Sequence, residues 1–140
     1  MKNDRTSPDT PRILIIRTSA LGDIVQALPV LTALRRHAPR CRIGWLVEDV
    51  FAPLLEGHPD LDEVLPVRLR TWRKRPLAGD TWRELGEFFN RLDRFAPEVA
   101  LDLMGNHKSG VLAALTLADR RIGVDRRYRR EPSSALWISE

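Results

Sequence analysis

The chain of 140 residues contains a single cysteine and no long hydrophobic run. One cysteine, Cys41, can form neither an internal disulfide nor a cysteine-cluster metal site, and we expect a buried or half-buried thiol there. No apolar segment approaches the ~18 residues that cross a bilayer. The leader MKNDRTSPDTP also lacks the apolar region of a signal peptide. We therefore expect a disordered leader over residues 1–11 and one cytoplasmic domain over residues 12–140.

Signatures of nucleotide, metal and nucleophile chemistry are also missing. The segment RTSALGD, Arg17 to Asp23, has one glycine, whereas a dinucleotide-binding turn needs several for its backbone to approach a pyrophosphate. No GxxxxGKS or GxxxxGKT motif and no GxSxG elbow occurs. Glu48 is the only carboxylate placed like a ribose-binding residue. Because His37, His58 and His107 share no metal-ligand spacing, we expect structural or solvent-exposed roles for them. We also expect no bound metal and no cofactor.

Positive charge is concentrated in two segments of the chain. The formal net charge is +4, from 23 Lys and Arg against 19 Asp and Glu. The clustered cations are Arg68, Arg70, Arg73, Lys74 and Arg75 in the first segment, and Arg120, Arg121, Arg126, Arg127, Arg129 and Arg130 in the second. A solvated surface normally alternates its signs, so these clusters indicate an anionic partner. Nucleic acid, an anionic lipid headgroup and a phosphorylated sugar all satisfy that requirement.

Short apolar runs alternate with helical patterns along the sequence. The runs predict strands over residues 13–18, 42–47, 63–67, 99–103 and 121–124. Each connection is long enough for a helical crossover, which predicts an α/β fold: a Rossmann-like, doubly wound parallel sheet with helices on both faces. Ligands of such sheets bind beyond the carboxyl ends of the strands.

The helices between these strands are predicted from their spacing and start signals. Pro29 fits the first turn of a helix that continues to Leu34, after a turn or kinked segment over residues 23–27. Thr81 and Glu84 have the spacing of a capping box and predict the start of a longer helix. Its predicted apolar face comprises Trp82, Leu85, Phe88 or Phe89, Leu92 and Phe95. The other predictions are helices over residues 50–55 and 109–118, a basic loop over 68–79, and no further strand or helix from residue 130 onward.

Asp23 is the lone carboxylate at the first turn between strand and helix. An Asp there commonly caps the helix that follows. It also lies at the ligand edge of the sheet, where an ionised carboxylate near a helix N-terminus can accept a proton from an attacking alcohol. Both interpretations predict the same local geometry, so the sequence pattern leaves them open.

The RTWRK segment, residues 70–74, is open to similar alternatives. It is either a solvated basic loop with Trp72 tucked against the domain, or a site for an anionic glycan. In the glycan site, arginine forks hold the anions and the indole contacts a sugar face. The same composition serves single-stranded nucleic acid. Nucleic acid is disfavoured because acidic residues are dispersed through the chain and no recognition-helix or RNA-binding signature is found.

Five segments occur together in one order: ILIIRTSALGDIVQALPVLTALRRHAP, IGWLVEDVFAPLLEGHPDLDEVLPV, LRTWRK, ALDLMGNHKSGVLA and RRIGVDRRYRREPSSALW. In order and spacing, these segments are similar to the bacterial lipopolysaccharide heptosyltransferases of glycosyltransferase family 9, over residues 12–140. The RTWRK and REPSSALW segments most resemble the heptosyltransferase I branch, which adds the first heptose to the Kdo of Kdo2-lipid A. The heptosyltransferase II branch is the close competitor.

The resemblance implies an inverting, metal-independent enzyme of the two-domain GT-B architecture. Its N-terminal Rossmann-like domain binds the acceptor and its C-terminal domain binds ADP-heptose. Asp23 matches the family's general base, which deprotonates the attacking Kdo hydroxyl. The positions that match acceptor-side motifs are Ser19, Gly22, Arg70, Trp72, Arg73, Lys74, Lys108, Ser109 and Arg130. Asp102 and Gly105 complete a D-x-x-G-x-x-K-S pattern in the cleft wall, and Met104 stands where many members have Gln.

The chain is short for a two-domain transferase. We expect the acceptor-binding half of a heptosyltransferase, inactive by itself because the C-terminal donor domain is absent. The implied partners are Kdo2-lipid A or a related lipopolysaccharide core, ADP-heptose through the missing domain, and the cytoplasmic face of the inner membrane. The alternatives are an inert lipid A- or sugar-binding fragment and, less favoured, a nucleic-acid-binding domain.

Overall fold

The computed structural model describes residues 8–125 and 131–139. Its strands are β1 Arg12–Ile16, β2 Arg42–Glu48, β3 Glu63–Val67, β4 Val99–Asp102 and β5 Arg120–Gly123. They form one parallel sheet in the order β3-β2-β1-β4-β5. The helices are α1 Leu21–His37, α2 Leu69–Lys74, α3 Gly79–Phe95 and α4 His107–Leu115, with 3₁₀ helices at Asp49–Leu54 and Pro132–Trp137.

The central strand β1 is buried on both faces of the sheet. Successive side chains of a strand point to opposite faces. Leu14 and Ile16 pack in a core with α2, α3 and α4, whereas Ile15 packs with α1 and the first 3₁₀ helix. This two-sided covering confirms the predicted α/β, doubly wound parallel sheet. Among the residues described, no helix combines the length and apolar character needed to span a bilayer.

The helix α1 begins earlier than the sequence pattern predicts. It includes the segment predicted to be a turn, and Pro29 lies in its interior rather than in its first turn. Ile24, Ala27 and Leu31 are buried along one face of the helix. Their packing stabilises the helix across the proline, which cannot donate a backbone hydrogen bond. As a result, Asp23 lies in the first helical turn.

The basic segment after β3 is a short helix rather than a loop. Leu69 and Trp72 are three residues apart, so helical geometry points both side chains to the same side, and both pack into the core. A helix of six residues is too short to be stable by itself. Its formation depends on this packing, which the local sequence pattern does not reveal.

The start of α3 also differs from the prediction. Ala78 is the N-cap, and Thr81 is buried in the first turn, where its hydroxyl donates to the Arg75 carbonyl at 2.7 Å. Glu84 accepts hydrogen bonds from side chains outside α3 instead of closing a capping box. Trp82, predicted to lie on the apolar face, is 65% exposed. The buried face consists of Thr81, Phe88, Leu92 and Phe95.

The second 3₁₀ helix packs against α4, where no further element was predicted. The Trp137 indole lies so close to Gly110 that a Cβ there would be 2.6 Å from the ring. The indole N–H also donates to Nδ1 of His107 at 3.2 Å. The lack of a side chain at Gly110 therefore permits the contact between the two helices. His107 has a structural role, as expected.

Candidate functional site

The candidate site lies where the strand order of the sheet reverses, between the carboxyl ends of β1 and β4. Ligands of open α/β sheets bind in the crevice at this position. The first loop, residues 17–20, follows β1 and contacts the loop after β4. The Arg17 guanidinium donates to the Leu103 carbonyl, and both the N–H and the hydroxyl of Thr18 point at the Met104 sulfur, 3.4 and 3.3 Å away. The two loops therefore form one surface at the carboxyl edge of the sheet.

Asp23 is held at this edge by two contacts. Its Oδ2 atom accepts a hydrogen bond from the Ala20 N–H at 3.4 Å and forms an ion pair with Arg17 at 2.7 Å. The N-cap of α1 is Ala20, so the expectation of Asp23 as the N-cap is wrong; Asp23 is the third helical residue and reaches back to the N-cap N–H. The side chain remains 38% exposed, so a ligand can also reach the carboxylate. The structure thus allows Asp23 both this contact with the N-cap and a role as a base.

Sequence analysis missed Arg17. Its side chain is only 16% exposed, and its Nε atom is buried without a hydrogen-bond partner in the structure. A guanidinium in contact with a carboxylate favours the charged form of that carboxylate and fixes its orientation. The available signal was a cation directly after an apolar strand and within the same motif as Asp23.

Ser19 and Gly22 lie on either side of the α1 N-terminus. Ser19 is half-buried and Gly22 is exposed. A Cβ added at Gly22 would meet no described atom within 4 Å. Packing therefore does not require glycine at this position, and the space above the first turn of α1 is open.

The helix α2 presents three cations on one face. Arg70, Arg73 and Lys74 are exposed, whereas Leu69 and Trp72 of the same helix pack into the core. Within the part of the chain that the structure describes, these three cations form no ion pair with a carboxylate. Arg68 differs from them because it pairs with Asp49 and Glu84. These three side chains are therefore available to an anion, and their role as acceptor contacts stays a prediction.

The Trp72 ring does not take the predicted position against a sugar. Its side chain is 8% exposed, its indole N–H donates to Glu84 at 2.8 Å, and its ring lies 6.0 Å from that of Phe88. The alternative in which Trp72 is tucked against the domain is therefore correct. In this structure the residue anchors α2 to α3 and offers no open ring face to a ligand.

Glu48, at the end of β2, connects α2 to the first loop. Its N–H donates to the Thr18 carbonyl at 3.0 Å, and its Oε1 atom accepts from the Arg70 N–H at 3.0 Å. The side chain is 2% exposed. The cationic face of α2 is therefore fixed beside the loop that leads to Asp23. The sequence showed only a carboxylate at a strand end, and its partners depend on the folded chain.

The loop after β4 is shaped by buried polar groups. Asp102 is fully buried, and its Oδ1 atom accepts from the N–H groups of Met104 and Gly105. Ser109 is also fully buried and forms a capping box with Asn106. These interactions give Asp102 and Ser109 structural roles, which corrects the prediction of Ser109 as a direct acceptor contact.

Lys108 is the exposed member of the predicted D-x-x-G-x-x-K-S set. Arg130 and the neighbouring cations at 126–129 lie outside the described residues, so the predicted second acceptor contact is not located. Within residues 8–125 and 131–139, no group of three His, Cys, Asp or Glu side chains has the arrangement of a metal site. Arg17 is the cation that contacts Asp23 directly, and α2 is connected to the first loop through Glu48.

The candidate site is an open edge and not a deep cavity. Two cavities of about 510 and 540 Å³ lie elsewhere, near the amino ends of the strands. Arg42 and Glu63 line the first, and Arg12 and Glu98 line the second. In each cavity these two residues form an ion pair with each other at 2.7 Å, and further charged side chains, among them Arg91 and Arg94 in the first, also line the walls. Both cavities lie away from the end of the sheet where ligands of open α/β sheets bind, which leaves the carboxyl edge as the candidate site.

Known proteins with similar sequences are lipopolysaccharide heptosyltransferases. No protein-family model matches the chain. Over 129 residues, 90% of this chain, it is 36% identical to lipopolysaccharide heptosyltransferase 1 of Pseudomonas aeruginosa. Over 128 residues, 91% of this chain, it is 31% identical to lipopolysaccharide heptosyltransferase 1 of Escherichia coli. The chain spans 36% and 40% of the length of these two relatives.

Solved structures give the same relationship. The E. coli heptosyltransferase WaaC with ADP superposes with a TM-score of 0.86 at 31% identity, covering 92% of this chain and 40% of that one. The E. coli heptosyltransferase II structure, at 21% identity and a TM-score of 0.60, shares the fold; the match covers 80% of this chain and 30% of that one. By sequence and by fold, the chain is a relative of the lipopolysaccharide heptosyltransferases that matches about two-fifths of their length.

Proposed function

We propose that this chain is the acceptor-binding part of an ADP-heptose:lipopolysaccharide heptosyltransferase, with Asp23 as the general base. The acceptor is the Kdo sugar of Kdo2-lipid A or a related core. The observation that carries the proposal is the position of Asp23 at the reversal point of the sheet, paired with Arg17 at 2.7 Å. Glu48 fixes the cationic face of α2 beside that loop.

Asp23 has the chemistry needed to activate a sugar hydroxyl. In the proposed step, a Kdo hydroxyl attacks the anomeric carbon of heptose and transfers its proton to the Asp23 carboxylate. A new C–O bond forms as the C–O bond to the diphosphate breaks on the opposite side, so the configuration inverts. The positive charge that develops on the sugar is stabilised by the nearby carboxylate. The ion pair with Arg17 holds the Asp23 carboxylate in position before the proton arrives.

The exposed cations of α2 suit the anionic acceptor. Arg70 and Arg73 present guanidinium forks that can bind carboxylate or phosphate oxygens in pairs, and Lys74 adds a compact charge. Because none of the three is ion-paired with a described carboxylate, no such pair has to be broken when the acceptor binds. Lys108 is proposed as a further contact from the β4 side. Arg130 stays a prediction from the motif.

Donor binding is assigned to the part of the relatives that this chain does not span. The chain covers 40% of the WaaC structure that contains ADP. In the proposed arrangement, ADP-heptose is held by that other part, and no metal takes part in transfer. Under this assignment, we expect the described residues to bind the acceptor without transferring heptose, because the donor is positioned by that other part. The proposal also places the protein at the cytoplasmic face of the inner membrane.

Isothermal titration tests the division of binding between the two parts. We expect a soluble Kdo-containing oligosaccharide to bind this chain and ADP-heptose not to bind. The variant Arg70→Gln/Arg73→Gln should lose most acceptor binding, whereas Arg36→Gln should not, because Arg36 is an exposed cation near the other end of α1. Donor binding and turnover by this chain alone would contradict the assignment of the donor site.

The role of Asp23 is tested in a fusion of this chain with the donor-binding part of a relative. We expect Asp23→Asn to lower kcat by about 10²–10⁴-fold with little change in the acceptor KM. Asp80→Asn is the matched control, because Asp80 is an exposed carboxylate in the first turn of α3. Near-normal turnover of the Asp23 variant would leave only the capping role.

An inert sugar- or lipid A-binding fragment is the second candidate. The observation that favours it is the group of exposed cations on α2, which can bind an anion without any catalytic step. Acceptor binding by this chain, combined with no turnover after fusion to a donor-binding part, would support the inert fragment over the half-enzyme.

A further inference from the structure

The turn between α2 and α3 exposes two large apolar side chains. We call residues 75–82 the open turn. Leu77 is 91% exposed and Trp82 is 65% exposed, although Trp72, in the preceding helix, is buried. Apolar surface of this size in contact with water is unfavourable, and clusters of it mark sites that another surface covers.

Leu77 and Trp82 occupy positions that lie close together across a helix start. With Ala78 as the N-cap of α3, Leu77 is the residue before the cap and Trp82 is the fourth residue after it. Apolar residues at these two positions commonly pack against each other and become buried. Here both remain exposed, so the described residues leave these two apolar side chains uncovered.

The backbone of the open turn is held in place by hydrogen bonds. The Arg75 carbonyl accepts from the Ala78 N–H at 3.2 Å and from the Thr81 hydroxyl at 2.7 Å, and the Thr81 N–H donates to the Ala78 carbonyl at 3.0 Å. Thr81 is itself buried. The exposure of Leu77 and Trp82 is therefore a property of an ordered turn, and these side chains need no rearrangement to meet a partner.

Three exposed cations come directly before these two apolar side chains in the sequence. They are Arg73, Lys74 and Arg75, and none of them pairs with a carboxylate among the described residues. Asp80, the nearest acidic residue in sequence, pairs with Arg83 at 3.2 Å. This segment thus combines apolar side chains with an uncompensated positive charge, which is typical of segments that bind anionic membranes.

We propose that the open turn docks on the anionic surface of a phospholipid bilayer. Leu77 and Trp82 enter the interface between headgroups and acyl chains. The cations before them, Arg73, Lys74 and Arg75, contact the phosphates. This inference rests on the proposed function, in which the acceptor is carried by a lipid. It deepens that function by assigning the membrane contact to specific residues. A bilayer fits better than nucleic acid because the aliphatic Leu77 side chain has no base-stacking role.

Vesicle co-sedimentation tests the proposal with this chain and with lipids that contain no lipopolysaccharide. We expect binding to phosphatidylcholine vesicles that contain phosphatidylglycerol and little binding to pure phosphatidylcholine. Leu77→Asp or Trp82→Ala should weaken the partition about tenfold by removing inserted apolar surface. Arg75→Gln should weaken it about fivefold. Leu117→Asp is the matched control, because Leu117 is 87% exposed at the opposite edge of the sheet. This variant should leave the partition into anionic vesicles unchanged.

Each opposite result overturns the inference. If Leu77→Asp leaves the partition unchanged, the open turn is not the docking surface. Equal partition into neutral and anionic vesicles would also contradict the inference. Binding to a single-stranded oligonucleotide, unchanged in Leu77→Asp and combined with no vesicle binding, identifies nucleic acid as the partner. Because the vesicles lack the sugar acceptor, a negative result here leaves acceptor titration as a separate test of the proposed function.

Discussion

At the scale of single residues, Arg17 is the main support of Asp23. It pairs with the carboxylate at 2.7 Å and also donates to the Leu103 carbonyl, so it fixes Asp23 relative to the loop after β4. We predict that Arg17→Ala in the fused transferase lowers kcat about 10²-fold, because a general base that is displaced from its position loses about that much rate. Steady-state kinetics should show a smaller change in the acceptor KM.

Two further variants separate positioning from loss of stability. Arg12→Ala removes an ion pair with Glu98 at 2.7 Å near the amino ends of the strands and should leave kcat unchanged. Arg17→Lys keeps the charge and should recover part of the lost kcat. Equal losses of kcat in Arg12→Ala and Arg17→Ala would show that Arg17 acts only through stability.

Cys41 should react slowly with alkylating reagents. Burial raises the pKa of the Cys41 thiol, and the charge of Glu98 acts in the same direction, while Arg35 opposes them. The thiolate is the reactive form, so less of it is present near neutral pH than for an ordinary cysteine. Iodoacetamide modification, followed by mass spectrometry, should be slower than in urea-unfolded chain and should accelerate only at alkaline pH. Faster labelling of the folded chain near neutral pH would contradict this expectation.

The candidate residues differ in how well sequence predicts them. Asp23 was identified because a lone carboxylate at a strand-to-helix turn is visible in the sequence. The contacts of Arg17 and Glu48 depend on loops from different strands that meet only in the folded sheet. Composition left two positions open for Trp72 and the family resemblance matched it to an acceptor contact, yet its position three residues after Leu69 directs it into the core. Local sequence therefore shows which groups are available but not which way they face.

At the scale of elements, α3 and β2 pack too closely for a side chain at Gly44. A Cβ there would lie 2.9 Å from the Phe95 ring and 3.2 Å from the Leu14 side chain. We predict that Gly44→Ala destabilises the fold by about 1–3 kcal/mol, because the buried ring and strand must shift. Urea unfolding followed by circular dichroism measures this change.

Gly86→Ala is the control for that experiment. Gly86 lies in α3 and is exposed, and an added Cβ meets no described atom within 4 Å. Alanine favours the helix over glycine by about 1 kcal/mol, so this variant should be slightly more stable. Similar stability changes in both variants would show that the contact between Gly44 and Phe95 is looser than described.

The strands β1 and β2 were predicted well because each is a largely apolar and buried run. The short helix α2 and the start of α1 were not predicted, because tertiary packing forms them against weak local signals. The proline in α1 and the basic composition of α2 both argued for irregular structure. Buried residues at helical spacing in each segment outweighed those local preferences.

At the scale of the whole molecule, the α2 cations differ in their pairing from the arginines at the starts of β1 and β2. The α2 cations lie at the carboxyl edge without carboxylate partners among the described residues, whereas Arg12 and Arg42 near the amino edge are each paired. We predict that acceptor affinity falls several-fold as ionic strength rises from ~0.01 to ~0.15 M, since the Debye length shrinks from ~30 to ~8 Å. Titration at both ionic strengths measures this change.

Arg73→Gln should reduce that salt dependence, because it removes one of the exposed charges. Arg36→Gln, which changes the net charge equally but at the other end of α1, should leave it unchanged. An acceptor affinity independent of ionic strength would contradict a site built on cations. The direction of this effect was predictable from the clustered charges in sequence, whereas the pairing of Arg68 with Asp49 and Glu84 was not.

The four tryptophans lie in four different surroundings and can serve as optical probes. Trp45 is fully buried and donates to the Arg17 carbonyl at 3.1 Å, directly beneath the first loop. Trp72 reports on α2, Trp82 on the open turn and Trp137 on the surface of α4. Variants that keep one indole at a time would let emission spectra distinguish binding near Asp23 from binding at the open turn. The fold thus supplies its own fluorescent labels at the places where its ligands are proposed to bind.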